Sequence, residues 1–129
     1  MILVDSSVWI DFLSSFPSSA AAELRRMIAD AEPFALPGIV VTEVLQGLKR
    51  DARRIEHYLS QWDLLEPKGF STYRDAAVIS RTARARGVAI TTIDALIAAI
   101  ALEHGALLFT LDRDFARLAE IVRLPLYSF

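Results

Sequence analysis

The chain contains no cysteine. Disulfides, thiolate zinc sites and cysteine nucleophiles are thereby excluded, and the composition suits a reducing cytosol. Histidine is scarce as well. His57 falls on a polar helix and His104 near a helix C-terminus, so both read as structural or exposed rather than as a catalytic pair. No long apolar run is present: the longest, ALIAAIAL (Ala95–Leu102), is far short of the roughly 20 residues that span a bilayer. The N-terminus has no basic region ahead of its apolar run, and Asp5 breaks that run early, so no signal peptide is expected. Excess charge is also lacking. A formal net charge of −2 argues against non-specific attraction to nucleic acid or anionic membrane, while leaving room for a local basic groove. These absences describe a soluble, cytoplasmic protein.

What is abundant is apolar side chain, 53% of residues with a mean hydropathy of +0.36. Either the core is dense or some apolar surface is reserved for a partner chain. With 129 residues, and no linker, repeat or low-complexity tract, the chain reads as one domain, residues 1–129. Residues 2–5 read as a strand, with Ser6 or Ser7 capping the short helix VWIDFL. A serine-capped helix follows at 18–31, a short strand at 32–38, two helices within 39–62, and a brief strand at 63–67. Residues 70–87 form a long helix that Gly87 can end; 89–105 give a strand or turn and then a helix. The chain closes with a strand and short helix in 106–120 and a last strand in VRLPLYSF. Strands alternating with helices predict an α/β fold, a three-layer α/β/α sandwich around a mainly parallel central sheet.

Four acids fall where acids are costly: Asp5, Glu43, Asp94 and Asp112. Asp5 ends the first strand, and the carboxyl ends of strands in an open parallel sheet are where ligands bind. Glu43 rises from an apolar stripe that includes Val40 and Ile39. Asp94 heads a helix that is apolar all round, and Asp112 follows the strand-like ALLFTL. Each also has a structural reading. Asp5 and Asp112 can cap the helices after them, Thr91 and Asp94 fit a capping box, and Glu43 can pair with an arginine. Burying several unpaired carboxylates together, however, costs several kcal/mol each. No basic residue lies in these apolar segments to offset that cost. A hard divalent cation, Mg²⁺ or Mn²⁺, resolves the conflict, since it takes carboxylate oxygens and water. Asp11, flanked on its helix by Ser7, Ser14 and Ser15, is expected to face water. Asp114 is either a fifth acid at the same site or a favourable charge in a first helical turn.

DSSVW near the N-terminus, TEVLQG, IDALIAAIALEHGA and LLFTLDRDF together resemble, in order and over almost the whole chain, the motifs of the PIN-domain family, and more narrowly VapC-type toxins. The resemblance implies a Mg²⁺- or Mn²⁺-dependent endoribonuclease, the toxin of a toxin–antitoxin pair. Asp5, Glu43, Asp94 and Asp112 would serve as its metal-binding and catalytic acids. Ser7 and Thr110 match supporting hydroxyl positions, and Ser6 stands where threonine is commoner. The division of work between Asp112 and Asp114 belongs to the family's most variable motif. The resemblance further implies a homodimer and a VapB-type antitoxin partner.

An acidic pocket alone repels RNA, so basic side chains must hold the phosphates. Candidates are Lys49, Arg50, Arg53 and Arg54 in one cluster and Arg74, Arg81 and Arg84 along one helix, each of which can equally be a solvated helical face. Two other classes compete with a nuclease. An aspartyl-phosphate phosphotransfer enzyme wants a D-x-D pattern after its first strand, where this chain has Asp5-Ser6-Ser7. A non-catalytic binding module in which the acids are structural is separated from a nuclease only by a metal-dependent activity assay.

Overall fold

A computed structural model describes residues 1–129. Its first strand, β1 (Ile2–Val4), is wholly buried, as a continuous apolar run implies, and pairs in parallel with β4 (Leu107–Phe109). β2 (Leu36–Pro37) pairs in parallel with β3 (Leu64–Leu65), and a parallel bridge between Leu3 and Ala35 joins β2 to β1. The strands thus lie in the order β3–β2–β1–β4, every pairing parallel. From β1 the chain moves outward one way through β2 and β3, then crosses back to place β4 on β1's other side. The sheet order reverses between β1 and β4, which makes their carboxyl ends the natural ligand position.

Seven helices complete the α/β fold: α1 (Ser6–Phe12), α2 (Ser19–Ala29), α3 (Gly38–Gln46), α4 (Ala52–Leu59), α5 (Phe70–Ala85), α6 (Thr92–Glu103) and α7 (Arg113–Val122). α1 packs on α2 and α3, and α3 on α4; α5 packs on α6 and α7. These two groups are the helical layers of the sandwich. α6 is buried on nearly every side, with Ala95 and Ile97 through Ala101 all inaccessible, which is why its sequence shows no polar stripe. Gly87 ends the α5 segment at φ +78°, a conformation that favours glycine. No helix is long and apolar enough to cross a membrane.

Three expectations change. Asp5, not Ser6 or Ser7, occupies the N-cap of α1, and its side chain makes no cap bond. The strand or turn at 89–91 is irregular chain. The last strand shrinks to a single parallel bridge, Leu126 to Leu108, because Arg123 turns the backbone left-handed (φ +54°) and only 125–127 run alongside β4.

Candidate active site

Asp5 is only 3% exposed, and its position is fixed through the backbone, where its amide donates to the Phe109 carbonyl at 2.9 Å. That bond extends the β1–β4 pairing by one residue and sets Asp5 beside the chain leaving β4. Its Oδ2 accepts from the Ser7 hydroxyl at 2.7 Å and from the Thr110 hydroxyl at 2.8 Å. Each hydroxyl has one hydrogen. Both are spent on Oδ2, so the 3.3 Å approach of Ser7 Oγ to Thr110 Oγ1 carries no third bond. As acceptors, Ser7 Oγ takes the Leu111 amide at 2.9 Å and Thr110 Oγ1 the Asp112 amide at 3.0 Å. Two small hydroxyls thereby lock the turn after β4 against the turn after β1.

Asp112 caps α7: its carboxylate accepts from the Asp114 amide at 2.9 Å. Asp94 lies in the first turn of α6, where its amide donates to the Thr91 hydroxyl at 3.0 Å. The structural readings of these two acids therefore hold geometrically, and they coexist with a second fact. Carboxylate oxygens of Asp94, Asp112 and Asp114 all lie within 4.8 Å of one another, close enough for one cation to be shared. Asp114 also approaches Arg117 at 3.7 Å, on an exposed surface where such a pair contributes little.

Glu43, on α3, makes no ion pair, and its Oε1 is buried without a hydrogen-bond partner. Burial pushes its carboxyl above the usual glutamate range; the Ser6 hydroxyl partly offsets this, and the charges of Asp5, Asp94 and Asp112 push it up further. Burial likewise raises the Asp94 carboxyl, against the Thr91 hydroxyl and amide, with Asp112 and Asp5 adding to the rise. The charges of Asp5, Asp94 and Asp112 act on Glu43, and those of Asp112 and Asp5 on Asp94, so acids from four parts of the chain lie near one another, although only Asp94, Asp112 and Asp114 bring oxygens within 4.8 Å. An orphaned buried carboxylate oxygen among like charges, with only hard oxygen donors around it, fits a divalent cation.

The remaining residues fall elsewhere. Lys49 and Arg50 sit in the exposed loop between α3 and α4, and Arg53 and Arg54 on exposed α4. Arg54 approaches Asp51 and Arg74 bonds Asp75, whereas Arg81 and Arg84 are exposed on α5. His104 approaches the Glu66 carbonyl at 3.2 Å, a structural contact. Asp11 does not simply face water. Its Oδ2 accepts from the Ser18 hydroxyl at 2.7 Å and the Ala21 amide at 3.1 Å, tying α1 to the start of α2. Thr91 holds Asp94 as its capping-box spacing announces, whereas sequence reasoning missed the effect of Ser6 on Glu43.

Acids gathered at the switch point of a small parallel α/β sheet define a class of α/β domains with an acidic site at the strand ends. More narrowly, residues 2–121 match the PIN domain model, and the chain belongs to that family. It is 35% identical to VapC ribonuclease Mb1587 of Mycobacterium bovis and to ribonuclease VapC11 of Mycobacterium tuberculosis, covering 100% of this chain and 99% of each relative. Among solved structures it resembles VapBC2 from Rickettsia felis bound to a promoter DNA fragment (TM-score 0.77, 21% identity, 100% of this chain and 99% of that one). A toxin–antitoxin complex from Klebsiella pneumoniae is also similar (TM-score 0.63, 27% identity, 90% and 91% covered).

Proposed function

We propose that this protein is a Mg²⁺- or Mn²⁺-dependent endoribonuclease, the toxin of a toxin–antitoxin pair, working as one catalytic domain in the cytoplasm. The observation that carries the reading is Glu43 Oε1, buried and unpartnered amid the charges of Asp5, Asp94 and Asp112. Whole-length similarity to two VapC ribonucleases supports it.

Asp5, Glu43, Asp94 and Asp112 would hold the metal, with Asp114 close enough to share it. When bound, the ion supplies a coordinated water of lowered pKa and neutralises charge on the phosphoryl oxygens. Ser7 and Thr110 donate to Asp5 Oδ2 and so keep that carboxylate aimed. Thr91 fixes the backbone of Asp94. The acids repel an RNA backbone, so exposed arginines and lysines outside the pocket bind its phosphates. Hydrolysis in line would leave a 5′-phosphate and a 3′-hydroxyl.

The similar toxin–antitoxin structures also support a partner. We place a VapB-type antitoxin here, with an arginine or lysine of its tail occupying the carboxylate pocket in place of the metal. A homodimer would cover further apolar surface. Digestion of total RNA by the purified protein, with and without Mg²⁺, tests the reading; an aspartyl-phosphate enzyme would instead become labelled by a phosphodonor and leave RNA intact.

A further inference from the structure

We propose that the groove between α5 and α6 holds one unpaired RNA strand, with phosphates on Arg81 and Arg84 and a base stacked on Tyr73. The proposal rests on the nuclease reading and specifies where the substrate runs. The groove has a volume of about 430 Å³, with Tyr73, Arg81 and Arg84 on its α5 wall and Thr92 and Ala95 on its α6 wall. On α5, Tyr73, Ala77, Arg81 and Arg84 recur at helical spacing, so one face presents an aromatic ring followed by two guanidinium groups. On α6, the groove begins in the same first turn that carries Asp94, which lies between Thr92 and Ala95. A strand leaving Asp94 along this helix therefore enters the groove within one turn.

Charge separates this groove from the hollow beside Lys49 and Arg50. No carboxylate lines it, and Arg81 and Arg84 take part in none of the molecule's ion pairs, which use Arg26, Arg54, Arg74, His104 and Arg117. The hollow beside Lys49 and Arg50 includes Asp51 and no aromatic residue. Tyr73 is 56% exposed, so its ring is open to a ligand. Base faces are hidden inside a duplex, so a stacking platform beside phosphate-binding arginines suits a single strand.

Binding of a fluorescein-labelled, non-self-pairing single-stranded RNA is to be followed by anisotropy in EDTA, where metal-dependent cleavage is off, over a range of salt. Wild type, Arg81→Ala/Arg84→Ala, Tyr73→Ala, Tyr73→Phe and Arg50→Ala/Arg54→Ala are compared, with thermal melting confirming that each is folded. The double arginine variant should lower the slope of log K against log salt by about 1.4, two phosphates' worth for a single strand. Tyr73→Ala should weaken binding about tenfold while Tyr73→Phe binds as wild type. Groove variants that bind like wild type overturn the proposal, as does a loss confined to Arg50→Ala/Arg54→Ala. If Tyr73→Ala instead halves the mass seen by light scattering, the face is a contact between two copies and the RNA assignment falls. A wild type that cleaves RNA while the groove variants bind normally defeats the groove alone; one that neither binds nor cleaves RNA defeats the nuclease reading with it.

Discussion

Thr110 reaches two strand-end turns with one hydroxyl, donating to Asp5 Oδ2 and accepting from the Asp112 amide. Thr110→Val keeps the shape and removes both bonds. We expect metal-dependent cleavage to fall about 10- to 100-fold, the usual loss when a group supporting a metal ligand is removed, with Thr110→Ser retaining most activity. Calorimetric titration of Mn²⁺ into each variant checks it. Glu43 makes a pH prediction. Its folded pKa lies above the unfolded value of 4.5, as does that of Asp94 above 3.8, so their contribution to stability is fully present below those values. It is lost as pH rises through the raised pKa values. The metal-free protein should therefore melt lower at neutral than at mildly acidic pH, and Glu43→Gln should raise the neutral melting temperature and flatten that difference. A variant melting below wild type at neutral pH, with no metal present, would show that Glu43 is satisfied by a contact other than a cation. The acids were legible in the sequence because apolar neighbours made each conspicuous. Asp114 was ambiguous because both roles follow from one position: it stands in the first turn of α7 and within 4.8 Å of its partners.

Helix ends account for much of what was readable and for one error. Ser18 caps α2 and Thr91 caps α6 at the spacings their sequences announce. Asp11 was misread because its partners, Ser18 and Ala21, lie beyond the turn that follows α1, outside any helical neighbourhood. A charged acceptor serving two backbone amides and a hydroxyl is structural. Asp11→Ala should cost about 2 kcal/mol, seen as a lower urea midpoint, while RNA cleavage by the folded fraction stays at the wild-type rate. An unchanged midpoint would mean the clasp contributes nothing. The last strand was overestimated for a similar reason. Its apolar alternation is real, but Arg123's left-handed turn leaves only one bridge to β4, and that turn has no local sequence signature.

At the scale of the whole molecule, the apolar excess divides between a dense core and surface left bare. Phe16 is 94% exposed and Phe70 84%, and on the reading proposed above a second copy of the chain covers apolar surface of this kind. A homodimer should therefore be seen by light scattering at micromolar concentration, and a clean monomer would argue against it. Bound antitoxin should lose inhibitory power as Mn²⁺ is raised; full inhibition with metal affinity unchanged would replace displacement by occlusion of the RNA path. The order of the parallel strands, which places the acids together, follows from strand–helix alternation only as a class, since pairing order rests on long-range contacts. The most direct measurement is to digest total RNA with wild type and Asp94→Asn, each with Mg²⁺ and with EDTA, and to map the ends. Cleavage by wild type in Mg²⁺ alone, leaving 5′-phosphates and absent in a folded Asp94→Asn protein, is the predicted result. Cutting that persists in EDTA, or an Asp94→Asn protein that cuts at the wild-type rate, would contradict it.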